Sequence, residues 1–219
     1  AVTTNKKWAE KLGIPQSTAI TCVKPSGTVS QLVDSASGIH ARHSEYYIRT
    51  VRGDNKDPMT MFLKSIGIPN EPQVDGNIES KDVSVFSFPI HSNRQSIFRN
   101  DMSAIEQLQI WKVYAEHWCE HKPSVTISVK EDEWLPVGAW CWENFDHLSG
   151  VSFLPSFDHS YIQAPYQEIT RDKYMEAMKA MPKKAIDWSL LSEFEKEDNT
   201  TGSQELACTA GVCELVDLI

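Results

Sequence analysis

Two short stretches hold residue types that could do chemistry. The first, "CVKPSGTVSQL" from Cys22 to Leu32, runs from a β-like stretch into a Pro-Ser-Gly-Thr turn and back to apolar residues. Pro25 steers Lys24 away from helical geometry. Gly27 allows close backbone approach to a ligand, while Ser26, Thr28 and Ser30 offer hydroxyls. A helix opening at this point would add free N–H groups and a positive dipole end, both suited to an anion. The Walker spacing is absent and Lys24 precedes the glycine, so this is not a P-loop of the NTPase kind. From the residues alone, two readings stand: a phosphate cradle, or an ordinary strand-to-helix turn with a Ser/Thr cap.

The second stretch is "ACTAGVCELVDLI", where Cys208 and Cys213 form a C-x-x-x-x-C pair behind a polar run. Small intervening residues permit the loop a disulfide requires. Two thiols on a mobile arm could enter a buried site, reduce a group there, and swing out for re-reduction by exchange. Half of a zinc site and a chance pairing are the alternatives, and no second ligand pair lies nearby. His117, Cys119 and His121 ("HWCEH") cannot converge on one metal from a single helix, because residues two apart face different ways. Cys119 therefore reads as a core thiol. His40 and His43 lack a third ligand, and no metal site is assigned. Trp111, Trp118, Trp134, Trp140 and Trp142 read as core and helix-packing residues. Glu131-Asp132-Glu133 reads as a solvated run facing the start of a helix at Trp134.

These residues need a scaffold, and the hydrophobic pattern supplies one. Strands are expected at Ala19–Val23, Tyr46–Val51, Val83–Ile90, Ser124–Val129 and Val151–Leu154. Helices are expected at Asn5–Leu12, Asp57–Ile66, Ser103–His121, Trp134–Leu148 and Thr170–Met181. The stretch between Gly67 and Asp82 reads as a long turn-rich connection. Alternating strands and helices predict an α/β architecture with some parallel pairing. Residues 1–192 read as one folded unit and 193–219, opening on acidic and polar residues, as a flexible tail.

Composition narrows the function classes. The 219 residues carry a net charge of −9, which argues against a nucleic acid as partner because phosphate neutralisation needs a basic face. No apolar run approaches the roughly 18–20 residues of a membrane span. Five cysteines at uneven spacing read as cytosolic thiols, so a cytoplasmic location is expected. The chain starts at Ala1 without an initiating Met, as a piece of a longer protein would.

Several segments, in order, resemble one family. "CVKPSGTVSQLVDSASGIHARHSEYYIR", "WCEHKPSVTISVKEDEW", "GVSFLP", "YIQAPYQEIT" and the terminal "CTAGVC" are similar to the C-terminal part of ribonucleotide reductases. The likeness is to the adenosylcobalamin-dependent (class II), monomeric ribonucleoside-triphosphate-reducing type. It implies the C-terminal part of a ten-stranded α/β barrel, with a flexible tail. It further implies that Ser26, Gly27, Thr28 and Ser30 hold the phosphates of a ribonucleotide substrate. Cys208 and Cys213 would pass electrons inward and be reduced in turn by thioredoxin or a similar dithiol protein. The family's radical-forming cysteine and most of its cobalamin site have no counterpart here, so the expected partner is a missing N-terminal part of the same enzyme, and the fragment alone is expected to be inactive. A non-catalytic phosphate-binding or dithiol accessory domain is the alternative.

Overall fold

The structure, a computed structural model, describes residues 1–92, 95–156 and 162–196. The elements run α1 (Val2–Leu12), α2 (Val29–Leu32), β1 (Tyr46–Asp54), α3 (Pro58–Ser65), β2 (Asn70–Asp75), β3 (Ile78–His91), α4 (Ala104–His117), β4 (Val125–Val129), α5 (Trp134–Glu143), β5 (Val151–Pro155), β6 (Tyr166–Glu168) and α6 (Arg171–Ala180). They pack as two compact units, one from residues 1–45 and the described part of 91–160, the other from 46–90 and the described residues after 161.

The first unit is built on a β-α-β crossover. Strands β4 and β5 pair in parallel, Val125 opposite Val151 through Val129 opposite Pro155, with α5 in the connection between them. Helix α4 starts at a capping box. Ser103 Oγ accepts from the Glu106 N–H at 3.2 Å, and Glu106 Oε2 accepts from the Ser103 N–H at 2.7 Å. Beyond that cap, Ala104, Leu108 and Trp111 fall on one helical face and are fully buried. They meet Val125, Ile127 and Val129 from β4 and Val137 from α5 in a continuous core. Trp111 is the largest buried side chain, and its Nε1–H donates to the Pro123 carbonyl at 3.1 Å. The acidic run is more than a solvated face: Glu133 Oε1 accepts from the Ala104 N–H at 3.0 Å, joining the start of α5 to that of α4.

The second unit holds a four-stranded sheet in the order β2-β3-β1-β6, antiparallel at β2–β3 and at β1–β6. Asp57 caps α3 by accepting from the Met59 N–H at 3.2 Å, and Pro58 takes the first turn, where its missing N–H costs nothing. Phe62 on that helix is fully buried against Trp188 and Phe194, with ring centroids 5.6 and 5.8 Å away. Thr170 caps α6 through the Lys173 N–H.

Several local expectations are corrected. The 67–82 connection is the hairpin β2–β3, which turns at Gly76 with φ +60°. Strand β2 is a mostly exposed edge with no apolar alternation, so periodicity could not reveal it. Ala19–Val23 belongs to neither sheet, because it spends its hydrogen bonds on the irregular 120–124 segment: His121 N–H to Thr21 O at 3.0 Å and Ser124 N–H to Val23 O at 3.1 Å. Helix α4 ends at His117, which leaves Cys119 beyond the helix and half-buried rather than in the core. Helix α5 ends at Glu143 and yields to a separate 3₁₀ turn at Phe145–His147. Of the tryptophans read as packing residues, Trp111 is in the core and Trp140 packs against it. Trp142 is 84% exposed, and Trp118 and Trp134 also face solvent in good part.

Candidate functional site

The Pro-Ser-Gly-Thr loop folds around Ser26. Ser26 Oγ accepts from the Ser30 N–H at 2.9 Å, and the Ser30 hydroxyl donates to the Ser26 carbonyl at 3.1 Å. The turn is thereby closed, and Ser30 is only 3% exposed. Helix α2 that follows is a single turn, begun by Thr28 without a side-chain cap bond. So short a helix carries little macrodipole, and any anion affinity must come from the local N–H groups. Gly27, Thr28 and Val29 are exposed, and their N–H groups donate to no partner among the described residues. The same holds for the Thr28 hydroxyl.

Gly27 lies outside the left-handed region, and a Cβ built there would meet nothing within 4 Å. Neither backbone conformation nor crowding within the chain asks for glycine at this position. Gly38 is the opposite case. Its φ is +59°, and a Cβ would lie 2.9 Å from the Lys24 carbonyl oxygen, so the returning strand of the loop presses directly on Lys24–Pro25. Lys24 is committed to structure: its Nζ donates to Lys122 O at 2.8 Å and to Ser124 Oγ at 2.9 Å, pinning the loop's entry beside β4.

Ser37, which the sequence reading does not single out, and His40 do the remaining anchoring. Ser37 Oγ accepts from the Ser26 N–H at 2.7 Å and donates to Ser26 O at 2.9 Å. His40 is bonded through both ring nitrogens, Nδ1 to Ser37 O at 2.7 Å and Nε2 to the Thr126 N–H at 3.0 Å. His43 stands apart from it: burial, and secondly the Arg99 guanidinium, lower its pKa to about 4. The structure therefore gives these two histidines separate environments. Only the alternation of Ser and Gly in "DSASGIH" hinted that this loop returns tightly on the first.

Burial raises the pKa of the Cys119 thiol, whose other neighbours include the Val23 N–H and Cys22, and burial likewise raises that of Cys141. Both are therefore held in the protonated, less nucleophilic form. Cys208 and Cys213 lie outside the described residues.

No family model matches the chain. Curated proteins do. A Dictyostelium discoideum protein named "Probable adenosylcobalamin-dependent ribonucleoside-triphosphate reductase" is 30% identical over 216 residues, covering 97% of this chain and 27% of that protein. The adenosylcobalamin-dependent ribonucleoside-triphosphate reductases of Euglena gracilis and Lactobacillus acidophilus are 28% and 26% identical over 94% and 98% of this chain, and 28% and 29% of their own lengths. Among solved structures, the crystal structure of a B12-dependent (class II) ribonucleotide reductase superposes with a TM-score of 0.69 at 24% identity, covering 88% of this chain and 26% of that one. The mixed α/β fold is thus that of a part of the class II reductase. The chain spans under a third of the length of the curated relatives it matches. Along nearly its whole length, it is similar to one segment of the adenosylcobalamin-dependent ribonucleoside-triphosphate reductases.

Proposed function

We propose that this chain is the substrate-phosphate portion of a ribonucleotide reductase. In that reading the loop from Ser26 to Ser30 receives the phosphates of a ribonucleoside triphosphate, and Cys208 with Cys213 serves as the dithiol that restores the reducing thiols. The supporting observation is the loop itself. Three consecutive N–H groups, on Gly27, Thr28 and Val29, are exposed and without partners among the described residues, beside a glycine that nothing in the chain's own packing requires. Consecutive exposed N–H groups at a turn can donate together to an anion. Ser26 and Ser30 shape the turn, while the Thr28 hydroxyl is available to a phosphate oxygen. The division of labour is positioning: an anion held on rigid backbone fixes the attached ribose for chemistry carried out elsewhere.

The tail would act by exchange. The Cys208 and Cys213 thiols are oxidised to a disulfide as the disulfide they attack becomes two thiols, and a dithiol protein of the thioredoxin type reverses the change. Adenosylcobalamin is the cofactor that the relatives' names imply. Two cavities, about 440 Å³ around Asn55 and Lys64 and about 220 Å³ around Cys119 and His147, are each too small to enclose a corrinoid of its size. Neither cavity fits that group, so no step is assigned through it. The remainder of a reductase-length protein would hold it, and the 219 residues alone would form no deoxynucleotide.

The test uses Gly27→Val and inorganic tripolyphosphate, a probe of phosphate binding without the nucleoside. Since a Cβ at Gly27 meets nothing, the variant should fold like the parent. It should nonetheless bind tripolyphosphate at least about tenfold more weakly, because the side chain occupies the approach to the N–H groups. Equal affinity of variant and parent, or no binding by the parent, would remove the support for the cradle.

A further inference from the structure

We infer that His40 and Ser37 are positioning residues that hold the phosphate loop in register with strand β4. The inference rests on the reading of that loop as a phosphate cradle, and deepens it by naming what orients the cradle.

The geometry fixes the chemistry of the relay. The Thr126 main-chain nitrogen can only donate, so His40 Nε2, 3.0 Å away, must be the acceptor. The ring proton is then on Nδ1, which donates to the Ser37 carbonyl at 2.7 Å. The Ser37 carbonyl also accepts from the His40 main-chain N–H at 3.1 Å, closing a tight turn. One step further, the Ser37 hydroxyl both donates to and accepts from the main chain of Ser26. Ser26 in turn closes on Ser30. The relay therefore runs from a strand through imidazole, carbonyl and hydroxyl to the residue just before the three open N–H groups.

Its anchor is rigid. Thr126 lies in β4 between Val125 and Ile127, both in the core. The loop is itself a poor source of order, since α2 is a single turn and Gly27, Thr28 and Val29 are exposed. A backbone anion site works only if its donors are already aimed, because each donor ordered on binding costs affinity. The Ser37 hydroxyl uses both its donor and its acceptor capacity on one residue, which fixes the Ser26 peptide planes on both sides. Substituting either relay member should thus loosen the donors without removing any of them.

Tripolyphosphate titration of the isotope-labelled chain, followed by the amide NMR signals of residues 27–29, tests this. Parent, Ser37→Ala, His40→Phe, His40→Gln and the Ser37→Ala/His40→Phe double variant are compared, with thermal unfolding measured on each. Ser37→Ala and His40→Phe should weaken binding about tenfold while the bulk unfolding midpoint stays near the parent's. Gln offers an acceptor to Thr126, so His40→Gln should recover part of the loss. Links in series predict that the double variant is no worse than the weaker single one, whereas independent contributions would multiply. Parent-like affinity in Ser37→Ala and His40→Phe, with the parent binding at 27–29, overturns the relay and leaves the cradle standing. A parent that does not bind there overturns both. A loss that only tracks a lowered unfolding midpoint, equal in Phe and Gln, also overturns it, since His40 would then be ordinary packing.

Discussion

His43 makes the stability of the chain pH-dependent in a calculable window. Its imidazole is held neutral by burial and by the positive Arg99 guanidinium, with the pKa lowered from the ordinary 6.5 to about 4. The unfolded chain takes up a proton near 6.5, and the folded chain does not until about 4. Between those values the unfolded state binds one more proton, so stability falls as pH falls, and the contribution levels off below the folded value. The slope is about 1.4 kcal/mol per pH unit, which gives a loss of about 2 kcal/mol between pH 6.5 and 5 from this residue. Other groups titrate too, and a His43→Gln variant subtracts them. Urea unfolding of both proteins at pH 7, 6 and 5 should show the parent losing about 2 kcal/mol more than the variant on descending to pH 5. An Arg99→Gln variant should keep most of that difference, because burial is the larger cause. Parallel pH profiles for parent and His43→Gln would refute the reasoning, since they would mean that the imidazole charges in the folded state as readily as in the unfolded one.

Three further substitutions test local backbone and packing. Gly13 and Gly38 share a left-handed backbone, but only Gly38 has a neighbour within reach of a Cβ. Gly13→Ala should cost about 1 kcal/mol and Gly38→Ala about 2 or more, with faster amide exchange at Ser26 and Ser30 in the second alone; equal costs would deny the close approach to Lys24. Trp111→Phe removes the donor to Pro123 O and part of a fully buried side chain, for an expected loss of about 2–4 kcal/mol in urea unfolding. A loss under about 0.5 kcal/mol would mean that the indole N–H bond contributes little to the first unit.

Much of the fold was legible because its signals are local. Asp57-Pro58 and Thr170 each announce a helix start within a few residues, and Asp57 and Thr170 are caps in the structure. The alternation in "SVTISV" placed β4 correctly because one face of the strand is core. Where burial does not alternate, the pattern failed: β2 is an exposed edge, and Ala19–Val23 is apolar without belonging to a sheet. The tryptophans misled for a related reason. Residue type states what a side chain can bury, and Trp142, largely exposed, shows that it does not state what covers it.

The sequence by itself determined the residues of the Pro-Ser-Gly-Thr loop, the segments similar to a reductase, and the helix and strand types that carry them, because each depends on neighbours a few positions apart. Tertiary structure alone decided how the loop is used. It buried Ser30 and turned its hydroxyl inward, spent Lys24 on the Lys122 carbonyl and the Ser124 hydroxyl, and left the Gly27, Thr28 and Val29 N–H groups without partners among the described residues. It also joined His40 to Thr126, 86 positions away. A hydrogen bond across that separation depends on two elements packing in one register, and leaves no periodicity or spacing in the chain from which it could be read.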